Sequence, residues 1–124
     1  MLAAQNRMRR SEDFVRAFHG VKGTSSRVLV FLRRADVDHQ ADLTDVKVGF
    51  VVPKSVGNSV VRHTVSRKLR HIMRARLHEF HPGDLVVVRA LPPSADASSE
   101  DLARDIDAAC LKISRRMAKR DAHA

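Results

Sequence analysis

Between Gly57 and Arg76 the chain reads GNSVVRHTVSRKLRHIMRAR, with six arginines or lysines, two histidines and no acidic side chain. A guanidinium group is permanently charged, and its planar fork of donors matches the oxygens of a phosphate. Projected at about 100° per residue, His63, Arg67, Arg70 and Arg74 share one arc, while Val61, Leu69 and Ile72 face the other way. Surface helices ordinarily mix acids with bases, because like charges four residues apart repel by a few tenths of a kcal/mol. A helix without such acids gains when an external polyanion supplies the missing charge, and each neutralised phosphate also releases a counterion. A merely solvated basic face is the plainer explanation of such a run, but solubility does not require that acids be excluded. Arg62 and Arg76 fall in or beside the apolar arc and reach the cationic face only from its margins.

Phe14 and Phe18 lie four apart and share one face of a short helical stretch. They either pack that helix on a sheet or leave ring surface on which a single nucleic-acid strand can stack. Other constellations are lacking. No Ser/His/Asp spacing stands out, and Lys54-Ser55 has no glycine-rich loop ahead of it to form a phosphate-binding loop. His78 and His81 are three apart, without the third and fourth ligands a metal site wants. Cys110 is the only cysteine, so no internal disulfide can form. Its neighbours Ile106, Leu111 and Ile113 mark it as a buried thiol rather than a nucleophile. The chain does not read as a self-sufficient enzyme.

The elements that must position these groups follow from local pattern. After the basic lead Arg7, Arg9, Arg10, Ser11 reads as an N-cap, with Glu12 and Asp13 favouring the positive end of a helix that stops at Gly20. RVLVFL, Arg27 to Leu32, and VKVGFVV, Val46 to Val52, read as strands, the second ended by Pro53, with an acidic loop from Ala35 to Asp45 between them. Ser59 to Phe80 has helical period, with Val61, Val65, Leu69, Ile72, Met73, Leu77 and Phe80 on one stripe. Gly57 and Asn58 start that helix, and Pro82-Gly83 ends it. DLVVVRAL, Asp84 to Leu91, is a further strand. LPPSADASSE then leads to Ser98 or Ser99 as cap of a last helix that buries Leu102, Ile106, Cys110, Ile113 and Met117. This order predicts an α/β fold, an α+β two-layer sandwich with helices packed on a small central sheet, in one domain over residues 1–124.

Composition narrows the partners. The net charge is +9 and the pI near 11.0, which favours polyanions over neutral or cationic ligands. With no Trp or Tyr and five Phe, the core must be mostly aliphatic. No apolar run approaches the ~18 residues of a membrane span, and MLAAQNRMRR lacks the apolar centre of a secretory signal, so a soluble cytoplasmic protein is expected. Lipid headgroups are the rival polyanion, but a helix lying on a membrane needs a free apolar face, which the strands here require.

These blocks resemble the protein component of bacterial ribonuclease P over nearly the whole chain. NRMRRSEDF, Asn6 to Phe14, with Phe18 one turn on, is similar to that family's basic lead into an acidic-aromatic helix. KVGFVVPKSVGNSVVRHTVSRKLR, Lys47 to Arg70, resembles its strand, turn and arginine-rich helix through Val48-Gly49, Lys54, Gly57-Asn58, Arg62, Arg67 and Arg70. DLVVVRALP with a Ser-capped helix following is similar to its closing elements. The chain departs from the family's usual Arg-Asn-Arg at Arg62-His63-Thr64, and from its lysines at Ser55 and Ser66.

The resemblance implies a sandwich with a left-handed β-α-β crossover around the arginine helix, as in the second domain of a ribosomal protein, against the usual right-handed rule. It also implies a subunit of a ribonucleoprotein endonuclease that removes the 5′ leader of precursor tRNA. Catalysis would belong to the RNA, with Mg²⁺ held mainly by RNA phosphates, and no protein partner would be required. By the same resemblance Lys54, Asn58, Arg62, Arg67, Arg70 and Arg74 contact the catalytic RNA. Arg9, Arg10, Phe14 and Phe18 would, by that resemblance, bind the leader. The alternative is a non-catalytic structural RNA-binding protein of ribosomal type. A DNA-binding regulator is disfavoured, since the arginine helix lacks the paired helix and tight turn of a helix-turn-helix.

Overall fold

Alternation along the strands decides the layers. The computed structural model describes residues 2–35 and 45–122. Its sheet is built from β1 (Val21–Thr24), β2 (Val28–Arg33), β3 (Lys47–Val51) and β4 (Leu85–Ala90), in the order β1-β2-β4-β3. β4 pairs antiparallel with β2 and parallel with β3, and β1 pairs antiparallel with β2. The helices are α1 (Ser11–Phe18), α2 (Ser59–Arg74), which forms the crossover from β3 to β4, and α3 (Ser99–Ala122).

On one face of the sheet Val28, Val30, Leu32, Val48, Val86, Val88 and Ala90 are buried against α2 and α3. The helices contribute Val65, Leu69, Ile72 and Met73 from α2, with Leu102, Ile106, Ala109 and Ile113 from α3. This layer is the aliphatic core that the composition predicts. On the other face α1 covers a second, smaller cluster of Met8, Ala17 and Val87, with Phe14, Phe31, Val51 and Leu85 against it. An eight-residue helix is about 12 Å long, so it shields only part of that face.

Several boundaries differ from the sequence pattern, each for a local reason. β1 is not foreseen, because four residues containing Gly23 carry little strand signal. Gly23 is required where it stands: a Cβ there would lie 2.1 Å from the Ala109 carbonyl oxygen of α3. α1 begins at Ser11 itself, and Arg10 occupies the N-cap position without a side-chain cap. α2 ends at Arg74 rather than Phe80, and Leu77–Glu79 make a single 3₁₀ turn. Arg76 accounts for the stop. Its Nη1 donates to the Ile72 carbonyl at 3.1 Å, and its Nε and Nη2 grip Asp107 of α3 at 2.7 and 3.1 Å. Leu77 and Phe80 still pack on the core beyond the break, which is why their helical spacing persists in the sequence.

The turn expected to start α2 supplies its cap, and the cap expected at α3 is present. The Asn58 side chain accepts from the Val61 amide at 3.0 Å, and Ser98 Oγ accepts from the Asp101 amide at 3.1 Å. Most of the expected acidic loop, residues 36–44, lies outside the described residues. Asp84 is fully buried at the entrance to β4. Arg34 donates to both its carboxylate oxygens, at 3.2 and 3.1 Å, and the His81 amide donates at 2.9 Å.

Candidate nucleic-acid interface

Position along α2 and just beyond its end sorts the arginines of this segment into two kinds. Those at the margin of the apolar stripe are partly buried: Arg76 is clamped on Asp107, and its pKa is raised first by that hydrogen bond. Arg62 is half-buried, with an Nε that is buried and without a hydrogen-bond partner among the described residues. Arg67 and Arg74 are exposed and Arg70 is half-buried.

Among the described residues Arg62, Arg67, Arg70 and Arg74 meet no carboxylate. The acids that form ion pairs engage other bases: Asp84 holds Arg34, Asp105 holds Arg27, Asp107 holds Arg76, Asp101 holds Arg104 and Glu12 holds Arg10. The cationic face is therefore not discharged by any of the described carboxylates.

Lys68 donates to the Ala97 carbonyl at 3.1 Å, tying α2 to the segment before α3. His63, Arg67, Lys68, Arg70, His71 and Ser99 line an open concavity of about 490 Å³ there. Arg70 also lines a hollow at the β3 edge with Arg7, Phe14 and Gly49. It thus stands between the arginine helix and the α1 side of the sheet. Lys54 is exposed in the 3₁₀ turn Lys54–Val56 that follows β3. Asn58 serves as the N-cap of α2, so its side-chain oxygen is engaged by the backbone.

On the α1 side of the sheet, Gly49 makes the seat for Phe14. A Cβ at Gly49 would lie 2.5 and 2.6 Å from Phe14 ring atoms, so only a bare backbone lets the ring settle on β3. Phe18 remains 40% exposed and meets Phe31 edge-to-face, with centroids 5.0 Å apart and planes at 87°. Phe14 is therefore a packing residue with one open edge, and Phe18 keeps free ring surface. Arg9 and Arg10 are exposed just ahead of α1, Arg10 in contact with Glu12.

Two residues of this face were not singled out from the sequence. Phe31 stands beside Phe18, and Arg89 is exposed on β4 opposite Leu29 of β2 and Val51 of β3. The signal was present in the alternation. Phe31 and Arg89 occupy the positions in RVLVFL and LVVVRA that point away from the valine core.

The remaining candidates have structural surroundings. Cys110 is half-buried, and burial pushes its thiol up to about 11, which suits a packing residue and not a thiolate. His78 and His81 are exposed, and among the described residues no cluster of three His, Cys, Asp or Glu could hold a metal ion. The donor set of the described chain does not fit an all-protein Mg²⁺ cage, which needs converging oxygen ligands. No described helix is long and apolar enough to cross a membrane.

Comparison with known proteins gives a consistent result. A family profile described as Ribonuclease P matches residues 2–114. The chain is 46% identical over 117 residues to the Ribonuclease P protein component of Streptomyces griseus, covering 91% of this chain and 95% of that protein. It is 47% identical over 108 residues to that of Beutenbergia cavernae, covering 86% and 87%. Among solved structures, the RNase P protein of Staphylococcus aureus superposes with a TM-score of 0.70 at 22% identity, over 88% of this chain and 94% of that one. The RNase P protein of Thermotoga maritima gives 0.66 at 18% identity, over 88% and 96%. At these identities the structural likeness is one of fold.

Proposed function

The chain belongs to the ribonuclease P protein family, and on that premise we propose that it binds the catalytic RNA through α2 and the 5′ leader of precursor tRNA through the α1 side of its sheet. The observation that carries this reading is the set of four arginines, Arg62, Arg67, Arg70 and Arg74, that among the described residues meet no carboxylate while five other arginines do.

Phosphate contacts fix register without reading sequence, and an array of guanidinium groups on a rigid helix suits that task. Lys54 and Asn58 sit at the N-terminal end of the same helix and extend the array toward β3. Phe14, Phe18 and Phe31 provide ring surface for unstacked bases, with Arg9 and Arg10 beside them for the strand's phosphates. Arg70, at the β3 edge, lies against both regions and aligns one RNA relative to the other.

No side chain of the site is paired as nucleophile and base, so the chemical step is assigned to the RNA. The Mg²⁺ it requires is placed on RNA phosphates and not on this chain. The protein's part is to hold leader and catalytic RNA together, which raises substrate affinity and lowers the metal concentration the RNA needs.

The test is reconstitution with a matching catalytic RNA, following precursor tRNA cleavage across a Mg²⁺ series at fixed, stated salt. Protein alone should cleave nothing, and its addition should shift the Mg²⁺ requirement to lower concentration. An unchanged requirement would remove the assignment.

A further inference from the structure

A second cationic surface lies away from α2, at the outer edge of the sheet. Between Lys112 and Arg120 the last helix carries five lysines or arginines and no acid. All five are exposed, and among the described residues none is ion-paired. Two of them are held in place by neutral groups. Lys112 Nζ donates to the Thr24 carbonyl and Arg116 Nη1 to the Lys22 carbonyl, each at 2.6 Å, along the edge strand β1. A carbonyl orients a cation without discharging it, so no described group cancels the positive charge of this edge.

This edge is continuous with the face that bears Phe18 and Phe31. Strand register puts Lys22 opposite Phe31, and a neighbouring row of residues on the same face runs Val51, Arg89, Leu29, Thr24 from β3 to β1. With strands about 4.8 Å apart, that row is about 14 Å long. At about 3.4 Å per stacked nucleotide it is crossed by roughly four nucleotides. Arg89 is exposed midway, and Lys112 meets the row's end through Thr24.

Resting on the proposed leader site, we infer that the C-terminal half of α3, through Lys112 and Arg116 with Arg115 and Lys22 beside them, forms a second RNA contact that takes the leader's distal nucleotides after they have crossed the sheet. The ligand chemistry is a single-stranded phosphate backbone, for which fixed, unneutralised cations on a polar edge are suited and no base-reading group is needed. The contact operates only for leaders long enough to pass β1.

The experiment measures affinity of the reconstituted holoenzyme for precursor tRNAs whose leaders are lengthened one nucleotide at a time. Wild type should show a first gain as the leader reaches the β3 side of the sheet and a second gain roughly four nucleotides later, once it has crossed to β1. In K112Q/R116Q the ratio of long-leader to short-leader affinity should fall. For the long leader, the slope of log affinity against log salt should drop by about 1.4, or 0.7 for each single-strand phosphate no longer neutralised. K112R/R116K should restore both, which separates charge from folding. An equal loss at every leader length would assign these cations to the catalytic RNA or the tRNA body and overturn the inference, as would the absence of any loss. If wild type shows no gain at any length and F18A changes nothing, the leader site itself fails. A preserved first gain with no effect of K112Q/R116Q sinks only the α3 contact.

Discussion

Gly49 and Phe18 separate packing from binding within one aromatic cluster. A methyl group at Gly49 would overlap the Phe14 ring, so Gly49→Ala must unseat it, at a cost of about 1–3 kcal/mol from overpacking, measurable by denaturant unfolding. Phe18 is 40% exposed, and Phe18→Ala should leave the unfolding midpoint nearly unchanged. It should weaken leader-bearing precursor relative to mature tRNA by about 1–3 kcal/mol, the range of one base stacked on one ring. Equal weakening of both ligands would point to a structural RNA-binding role. The pair Phe14 and Phe18 was legible from its spacing of four. Phe31 was not picked out, because its partner comes from another element and only strand alternation places it on the α1 side. Arg89 was overlooked for the same reason: within a valine-rich strand it reads as a solvated residue until the register sets it between Leu29 and Val51.

Along α2 and the turn that follows it, arginines should respond differently to substitution. Arg76→Ala removes the grip on Asp107 and the bond to the Ile72 carbonyl. The loss should be about 1 kcal/mol, since Asp107 is more than half exposed and solvent screens the pair. The salt dependence of RNA affinity should not move. Arg67→Ala should leave thermal unfolding in place and lower the salt slope by about 0.9 if its phosphate belongs to duplex RNA. Unfolding curves and affinity titrations at several salt concentrations distinguish the two. The start of this helix was readable, because Gly57-Asn58 is a turn followed by a capping side chain. Its end was not, since Leu77 and Phe80 keep the apolar spacing across the break that Arg76 imposes. Ser11 shows the converse error: a residue type that favours caps stands inside the first turn, and the chain ahead of it supplies the boundary.

Across the whole molecule, the charge that singles out polyanions was evident from composition, and the α+β order of elements from local periodicity. Strand order was not, because the pairing of β2 with β4 joins segments separated by α2 and leaves no local period. The hand of the crossover entered only through family resemblance. Asp84 was read merely as the first residue of a strand, yet it is a fully buried charge held by Arg34 and the His81 amide. Asp84→Ala strands a partly buried guanidinium and should lower global stability by roughly 3 kcal/mol, seen as a shift of the entire denaturation curve.

The place of β4 in the sheet also fixes when this protein can fold. Both of its hydrogen-bonded neighbours are made before it, and the strand that joins them leaves the ribosome only near Ala90. Until then β2 has only β1 beside it, β3 has no strand partner, and the valines of the incipient core have no lid. Closure of that long loop, rather than helix formation, should set the folding rate. A nascent chain halted before Leu85 should stay protease-sensitive along its full length.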